Sequence, residues 1–274
     1  MDNRPIGVMD SGLGGLTCVR ALRSLLPCED IVYFGDVARA PYGNRAPGTL
    51  ERFARQSAAI LLERDVKFIA VACGTTSTVA PHVARELPVP ALGVLEASVD
   101  AALEATKTGR VGVIATTATI RSGAYQRALL ARRPDAHIAA RDCPLFVPLV
   151  ENGFVDPDDP LTRLAVERYL APLLPEALDT LILGCTHYPI LAESIRRAMG
   201  EGVALIDSGA AAAEAAAREL AARDMLADKG RPGRLDCLVS AYTQGFRGVT
   251  GILLGEEIGE EACAVVSPED YDGV

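Results

Sequence analysis

The sequence alternates short strands that are apolar on both faces with segments of helical period. Such strands occur near the start of the chain at residues 6–10, 31–36, 68–73 and 90–95. A strand that is apolar on both faces is typical of a parallel sheet, because helices cover both sides of such a sheet. The alternation therefore predicts an α/β fold with mainly parallel sheets. The predicted helices include one at residues 77–87 and one at residues 119–133.

The same order starts again near residue 110. Further strands are predicted at residues 110–116, 137–143, 180–185 and 203–207. The stretch IGVMDSG matches VGVIATT at an offset of 105 residues (111 − 6), and FIAVACGTTS matches TLILGCTHYP at an offset of 112 (185 − 73). The regular alternation of strands and helices in any βαβ fold would give a similar pattern. If the repeat is a duplication, it predicts two pseudo-symmetric three-layer α/β/α lobes.

The predicted lobes divide the chain into two domains. Residues 1–96 and 208–274 form the first lobe, which contains Cys73, and residues 97–207 form the second, which contains Cys185. Ligands of such sheets bind beyond the carboxyl ends of the strands. We therefore expect both cysteines to face a shared cleft.

Charge and cysteine content exclude several classes of function. The net charge is −9 and no basic run stands out, which argues against nucleic acid or an anionic membrane as partner. The seven cysteines include no C-x-x-C pair, so neither a disulfide framework nor a four-cysteine zinc site is expected. No apolar run of about 18 residues and no signal peptide is evident, so the sequence predicts a cytoplasmic protein.

Cys73 and Cys185 are the first candidates for chemistry. Each follows an apolar strand and precedes a predicted helix. A helix N-terminus favours a thiolate, which can act as a nucleophile or a base. A single cysteine of this kind is usually a core residue. Two in matching positions could instead serve as bases on opposite sides of one carbon, which is what inversion of a stereocentre requires.

Other polar residues follow strands in the same way. The stretch DSGLGG at residues 10–15 lacks the third glycine of a dinucleotide site, so it is either a cradle for a carboxylate or a tight turn capped by Asp10. The loop at residues 35–47 contains Asp36, Pro41, Tyr42 and Gly43, and is either a ligand loop or a turn.

The histidines and Glu151 leave alternatives open. His187 lies two residues beyond Cys185 and could exchange protons with it, although a structural role is also consistent with the sequence. No further metal ligands lie at a useful spacing. His82 and His137 are assigned to structure. A lone glutamate such as Glu151 is usually a solvated surface residue.

Taken together, these stretches resemble the glutamate racemases of the cofactor-independent aspartate/glutamate racemase family. The resemblance covers nearly the whole chain. It rests on IGVMDSGLGGLT, EDIVYFGDVARAPYG, VACGTTS, TIRSGAYQ, CPLFVPLVENG, LGCTHYPIL and IDSG, in this order.

The resemblance implies roles for individual residues. Cys73 and Cys185 match the two bases of the family. Side chains that match groups assisting proton transfer or orienting the bases are Asp10, Asp36, Glu151 and His187. Residues that match substrate contacts are Asp10, Ser11, Pro41, Tyr42, Gly43, Gly74, Thr75, Thr119, Thr186 and His187.

The resemblance also implies a function. The chain is expected to interconvert L- and D-glutamate without cofactor or metal, and to supply D-glutamate for peptidoglycan in a bacterial cytoplasm as a homodimer. A racemase of aspartate or another amino acid, a decarboxylase of the same fold and a non-enzymatic binding protein remain alternatives. Related decarboxylases need only one of the two cysteines, so the presence of both argues against that alternative.

Two positions differ from the family pattern. Gly74 stands where the family usually has asparagine, and Val37 stands where it often has threonine. The asparagine side chain normally contacts the substrate, and a lost hydrogen bond to a charged group is worth roughly 1.5–3 kcal/mol. Substrate affinity or choice is therefore expected to depend on Gly74.

Overall fold

Two parallel sheets form the framework of the protein in a computed structural model. The structure describes residues 1–228, 230–243 and 245–272. Residues 229, 244, 273 and 274, which belong to the predicted first lobe, lie outside the described residues. The strands of the first sheet are β1 (Ile6–Asp10), β2 (Ile31–Gly35), β3 (Phe68–Val71), β4 (Ala91–Gly93), β9 (Leu235–Val239) and β10 (Cys263–Val265). Those of the second sheet are β5 (Arg110–Ala115), β6 (His137–Asp142), β7 (Thr180–Leu183) and β8 (Ala204–Asp207).

The strand order confirms the predicted pseudo-symmetric fold class. The first sheet has the order β10-β9-β2-β1-β3-β4 and the second has β6-β5-β7-β8, so four strands repeat in the same order. The register repeats as well, because Ile6 pairs with Phe68 and its predicted counterpart Val111 pairs with Thr180. All pairings are parallel. The exact domain boundaries stay a prediction.

Helices cover the sheets on both sides. They are α1 (Leu16–Leu25), α2 (Pro47–Leu62), α3 (Gly74–Val79), α4 (Pro81–Glu86), α5 (Val94–Ala105), α6 (Thr117–Ser122), α7 (Ala124–Arg132), α8 (Phe146–Glu151), α9 (Pro160–Leu170), α10 (Ala192–Met199), α11 (Ser208–Ala222) and α12 (Phe246–Leu254). Short 3-10 helices lie at Val37–Arg39, Tyr42–Asn44, Ala171–Glu176, Tyr188–Leu191, Glu260–Ala262 and Pro268–Tyr271. Within the described ranges, no helix is long and apolar enough to cross a membrane.

Two segments predicted as single helices are broken in the structure. The helix expected at residues 77–87 is interrupted at Ala80, because a proline disfavours helical geometry at the residue before it. The helix expected at residues 119–133 is interrupted at Gly123, whose φ of +64° lies in the left-handed region. The break at Ala80 leaves α3 as a short helix directly behind Cys73.

The buried strands explain the apolar runs in the sequence. Every residue of β1, β2, β3 and β7 is buried. Helix α11 packs against α1 and α5, and most of its buried residues are alanines, which allow a close approach. Since α11 and α1 belong to the predicted first lobe and most of α5 belongs to the second, the contact between α11 and α5 joins the two halves of the protein.

A buried ion pair ties four segments together below the first sheet. Lys67 Nζ lies 2.6 Å from Glu29 Oε2, and the two side chains are 0% and 2% exposed. The ammonium group also donates to the carbonyl oxygens of Asp2 (2.6 Å) and Met225 (2.7 Å). The backbone N–H of Ala227 donates to the other carboxylate oxygen of Glu29 at 2.7 Å. The pair is therefore fully hydrogen-bonded, which is the condition under which a buried pair is tolerated.

Replacing Lys67 by methionine should destabilise the protein by about 3–5 kcal/mol, because Glu29 is left as an uncompensated buried charge. Urea denaturation followed by circular dichroism measures the change. Arg163→Gln is the control, since its pair with Glu167 spans 4.0 Å between exposed side chains and is expected to contribute less than about 1 kcal/mol. If the two substitutions lowered the free energy of unfolding equally, Lys67 would not be needed to compensate the buried charge of Glu29.

Candidate active site

A cavity of about 630 Å³ lies between the two sheets at the carboxyl ends of their strands. Residues from both sheets line it, including both candidate cysteines. The predicted site residues in its wall are Ser11, Pro41, Tyr42, Gly43, Cys73, Gly74, Thr75, Glu151, Cys185, Thr186 and His187. Asp10, Asp36 and Thr119 lie behind this wall and contact residues within it. A smaller cavity of about 180 Å³, next to α4 and β4, contains neither cysteine in its wall.

Cys73 caps the N-terminus of α3. Its sulfur accepts a hydrogen bond from the backbone N–H of Thr76 at 3.4 Å, and its thiol donates to Ser11 Oγ at 3.3 Å. Burial and, to a smaller extent, the nearby charge of Asp10 raise the pKa of Cys73 to about 11, although the hydrogen bonds with Ser11 and Thr76 lower it. The N–H of Thr76 at the helix terminus therefore favours the thiolate as expected, but the loss of solvation outweighs it.

Cys185 has different neighbours. Its sulfur lies 4.0 Å from Nδ1 of His187, whose Nε2 lies 3.1 Å from Glu151 Oε1. Burial lowers the pKa of His187, but the contacts with Cys185 and Glu151 outweigh it and raise the value to about 10. His187 is therefore an imidazolium at neutral pH, and its ring lies beside the sulfur of Cys185. The expected helix after this cysteine is α10, which a 3-10 turn at Tyr188–Leu191 precedes.

The glycine-rich loop after β1 contacts the opposite half of the protein. Asp10 Oδ2 accepts a hydrogen bond from the N–H of Gly12 at 3.0 Å, and its buried Oδ1 has no partner within the described ranges. Burial raises the pKa of Asp10, against the lowering effect of His187. A Cβ atom at Gly14 would lie 2.1 Å from Thr186 Oγ1 and 2.6 Å from His187 Nδ1. The loop therefore needs glycine for close approach to the other cysteine loop.

The loop after β2 places Tyr42 beside Cys73. Pro41, Tyr42 and Gly43 line the cavity, and the buried Tyr42 hydroxyl donates to Asp36 Oδ2. Asp36 is fully buried. Both Nε and Nη2 of Arg39 lie 2.7 Å from the same oxygen, Oδ2. Asp36 thus fixes the loop from behind the cavity wall.

Three threonine hydroxyls connect the two halves. Thr75 Oγ1 lies 3.0 Å from Thr116 Oγ1, which donates to Thr119 Oγ1 at 3.0 Å, and Thr119 reaches Thr75 at 3.5 Å. Thr116 lines the cavity, whereas the predicted Thr119 does not. The internal repeat could have identified Thr116, because an offset of 105 places it opposite Ser11 (11 + 105 = 116).

Further lining residues come from segments that sequence reasoning passed over. Val147 and Pro148 belong to α8, which was not predicted, and Val249 belongs to α12 of the tail. Val147 and Pro148 lie within the motif CPLFVPLVENG but were assigned no role there, and no repeat or motif marks Val249. All three add apolar surface to the cavity wall.

Gly74 lies close to the backbone of the opposite cysteine loop. A Cβ atom at Gly74 would lie 2.3 Å from the backbone oxygen of Gly184, the residue before Cys185. A backbone atom cannot move aside as a flexible side chain can. The asparagine that is usual in the family therefore fits this chain only if the loops move apart.

Within the described ranges, no group of three or more histidine, cysteine, aspartate or glutamate side chains could hold a metal ion. Cys73 and Cys185 are both free thiols. The groups that line the cavity include two thiols, an imidazole, a carboxylate and several hydroxyls.

Comparison with known proteins agrees with this site. The family model described as Asp/Glu/Hydantoin racemase matches residues 6–216, which is more than half of the chain. The chain belongs to this family. The racemase is 43% identical over 256 residues to glutamate racemase of Chlorobaculum tepidum, covering 93% of each chain. It is 48% identical over 225 residues to glutamate racemase of Neisseria meningitidis serogroup A, covering 81% of this chain and 82% of the relative.

A solved structure gives the same result. The racemase superimposes on the crystal structure of glutamate racemase from Francisella tularensis in complex with D-glutamate with a TM-score of 0.91 and 38% identity, covering 99% of this chain and 100% of that one. The predicted resemblance to glutamate racemases is confirmed. The racemase is accordingly an isomerase, as the sequence predicted.

Substituting Gly74 by asparagine should lower kcat/KM by about 100-fold, because a shift of about 1 Å between reacting groups can have this effect. The measurement is the initial rate of racemisation. Gly48→Ala is the control, since a Cβ atom there meets nothing within 4 Å and activity should be unchanged. A rise in kcat/KM with Gly74→Asn would show that the missing asparagine side chain limits the site, and not the space between the loops.

Substituting Glu151 by glutamine should lower the pKa of His187 from its value of about 10. Because Glu151 is half-exposed, the change should be about half a unit to one unit. Titration of the histidine C–H signals by NMR measures this change in pKa.

The raised pKa of His187 also makes the stability of the protein depend on pH. The stabilising effect of the protonated ring is complete below about pH 6.5 and is lost as the pH rises through about 10.

The matched control for Glu151→Gln is Glu176→Gln. Glu176 contacts a different histidine, His137, at 2.6 Å. Replacing Glu176 by glutamine should leave the pKa of His187 unchanged. An unchanged pKa in Glu151→Gln as well would assign the raised value to Cys185 alone.

Proposed function

We propose that the racemase interconverts L- and D-glutamate, with Cys73 and Cys185 as the two bases. The observation that supports this most strongly is that the two thiols, one after a strand of each sheet, line one cavity. One thiolate would remove the α-proton from one face of the substrate, and the other thiol would deliver a proton to the opposite face. The names of the relatives point to glutamate as the substrate.

The surroundings of Cys73 suit it to a difficult proton abstraction. The α-proton of an amino acid is very weakly acidic, and the basicity of a thiolate rises with the pKa of its thiol. A pKa of about 11 makes the Cys73 thiolate a stronger base than an ordinary cysteine. Because of this high pKa, only a small fraction of the Cys73 thiol is ionised at neutral pH. Ser11 and the N–H of Thr76 would stabilise the thiolate when it forms.

The surroundings of Cys185 suit the complementary step. The His187 imidazolium lies beside its sulfur and would stabilise the thiolate, while Glu151 orients the ring. Buried hydroxyl and backbone N–H groups would hold the carboxylates of the substrate, as Ser11, Thr75 and Thr186 line the same wall. Local groups of this kind allow a chain of net charge −9 to bind an anion.

The cellular role follows from the proposed reaction. D-Glutamate would feed peptidoglycan synthesis in the cytoplasm of a bacterium, and the racemase would act as a homodimer. Aspartate or another amino acid is the alternative substrate, since Gly74 lacks the side chain with which the asparagine usual in the family contacts the substrate. A decarboxylase is less well supported, because both cysteines are present in the cavity wall.

The direct test is circular dichroism of L-glutamate and, separately, of L-aspartate during incubation with the protein. The signal of glutamate should decay to zero. Cys73→Ala and Cys185→Ala should each lower the rate by about 10²–10⁴-fold, since each removes one acid–base group. Cys263→Ala is the control, because it removes a buried thiol from β10 outside the cavity.

Two results would contradict the proposal. Decay of the aspartate signal alone would assign the racemase to another substrate. A folded protein that leaves both signals unchanged, and does not exchange the α-proton with deuterated water, would favour a binding protein.

A further inference from the structure

Arg39 lies directly behind the wall of the cavity. Its side chain is 11% exposed, and it precedes the wall residues Pro41, Tyr42 and Gly43 in the loop after β2. Nothing in the proposed two-thiol reaction requires an arginine at this place. Its contacts nevertheless connect three elements of the site.

The first contact is with Asp36. Nε and Nη2 of the guanidinium both lie 2.7 Å from Oδ2 of this fully buried carboxylate. The hydroxyl of Tyr42 donates to the same oxygen. Without Arg39, Asp36 would be a buried charge held by one hydroxyl, which is strongly unfavourable.

The second contact is with an aromatic ring. The guanidinium carbon lies 3.9 Å from the ring centroid of Phe53, a cation–π distance. The ring of Phe53 lies 5.4 Å from that of Tyr42. Tyr42, Phe53, Leu50 and Cys73 form one buried cluster. Arg39 therefore fixes both the hydroxyl and the ring of the tyrosine that packs beside Cys73.

The third set of contacts comes from the C-terminal segment. Nη1 of Arg39 donates to Gln56, whose amide donates to Asp272 at 2.6 Å. The same nitrogen lies 3.6 Å from Glu269. The guanidinium is thus held from the outside by α2 and the 3-10 helix Pro268–Tyr271, and its rotation is restricted.

We propose that Arg39 is a positioning residue, which holds Asp36 behind the cavity wall and Tyr42 within it so that Cys73 is covered and aligned with the substrate. This inference rests on the proposed function. Since the planar guanidinium binds Asp36 and stacks on Phe53 at once, lysine cannot replace it fully.

The test compares Arg39→Gln and Arg39→Lys with Arg52→Gln. Arg52 is a matched control, because its guanidinium lies 5.6 Å from the same Phe53 ring but the residue is exposed. At a temperature where every variant is folded, kcat/KM should fall by about 10–100-fold in Arg39→Gln. The decrease in kcat/KM should be smaller in Arg39→Lys. In Arg52→Gln, kcat/KM should remain within about twofold of the value for the original protein.

A second measurement does not depend on activity. The rate of alkylation of Cys73 by iodoacetamide, followed by peptide mass spectrometry, should rise about tenfold in Arg39→Gln because Tyr42 no longer covers the sulfur. Alkylation of Cys185 in the same sample should be unchanged. Arg52→Gln should resemble the original protein at both cysteines.

The outcomes separate this inference from the proposed function. If Arg39→Gln lowers only the free energy of unfolding, with kcat/KM and Cys73 alkylation unchanged, Arg39 is merely structural and the inference is overturned. If the original protein does not act on glutamate, the proposed function fails, and the alkylation rates alone still decide whether Arg39 positions the wall over Cys73.

Discussion

The approach of two backbone loops across the cleft is the constraint on which the site depends. Gly74 meets the oxygen of Gly184, and Gly14 meets Thr186 and His187, at distances that leave no room for a Cβ atom. These contacts set the separation of the two strand ends and therefore of the two thiols. The position of every other group in the wall is defined relative to this separation.

Much of the fold and the main site residues could be predicted from the sequence because they depend on local pattern. Strands that are apolar on both faces predicted the parallel sheets, and the internal repeat predicted two lobes with the same strand order. Since parallel strands present their carboxyl ends at one edge, the repeat also placed Cys73 and Cys185 at one cleft. The helix breaks at Ala80 and Gly123 could also have been predicted from the local sequence, because a proline follows the first and a glycine lies at the second.

The remaining features could not be predicted because they join segments that are distant in the chain. Lys67 binds Glu29 and the carbonyl of Met225, and Arg39 lies near Glu269 in the C-terminal segment. No spacing rule links such pairs. The pKa of Cys73 also depends on a balance between burial and two hydrogen bonds, and its direction was opposite to the effect of the helix terminus alone.

The two thiols occupy equivalent places in the repeat but have unequal neighbours: Ser11 and Asp10 at one, His187 and Glu151 at the other. Mirror-image substrates have equal free energies, so no difference between the two halves can alter the final mixture. The difference can only divide the barrier unequally between two proton transfers. The unequal neighbours of the two thiols therefore have no thermodynamic consequence for the product, and each half can suit its own face of the substrate.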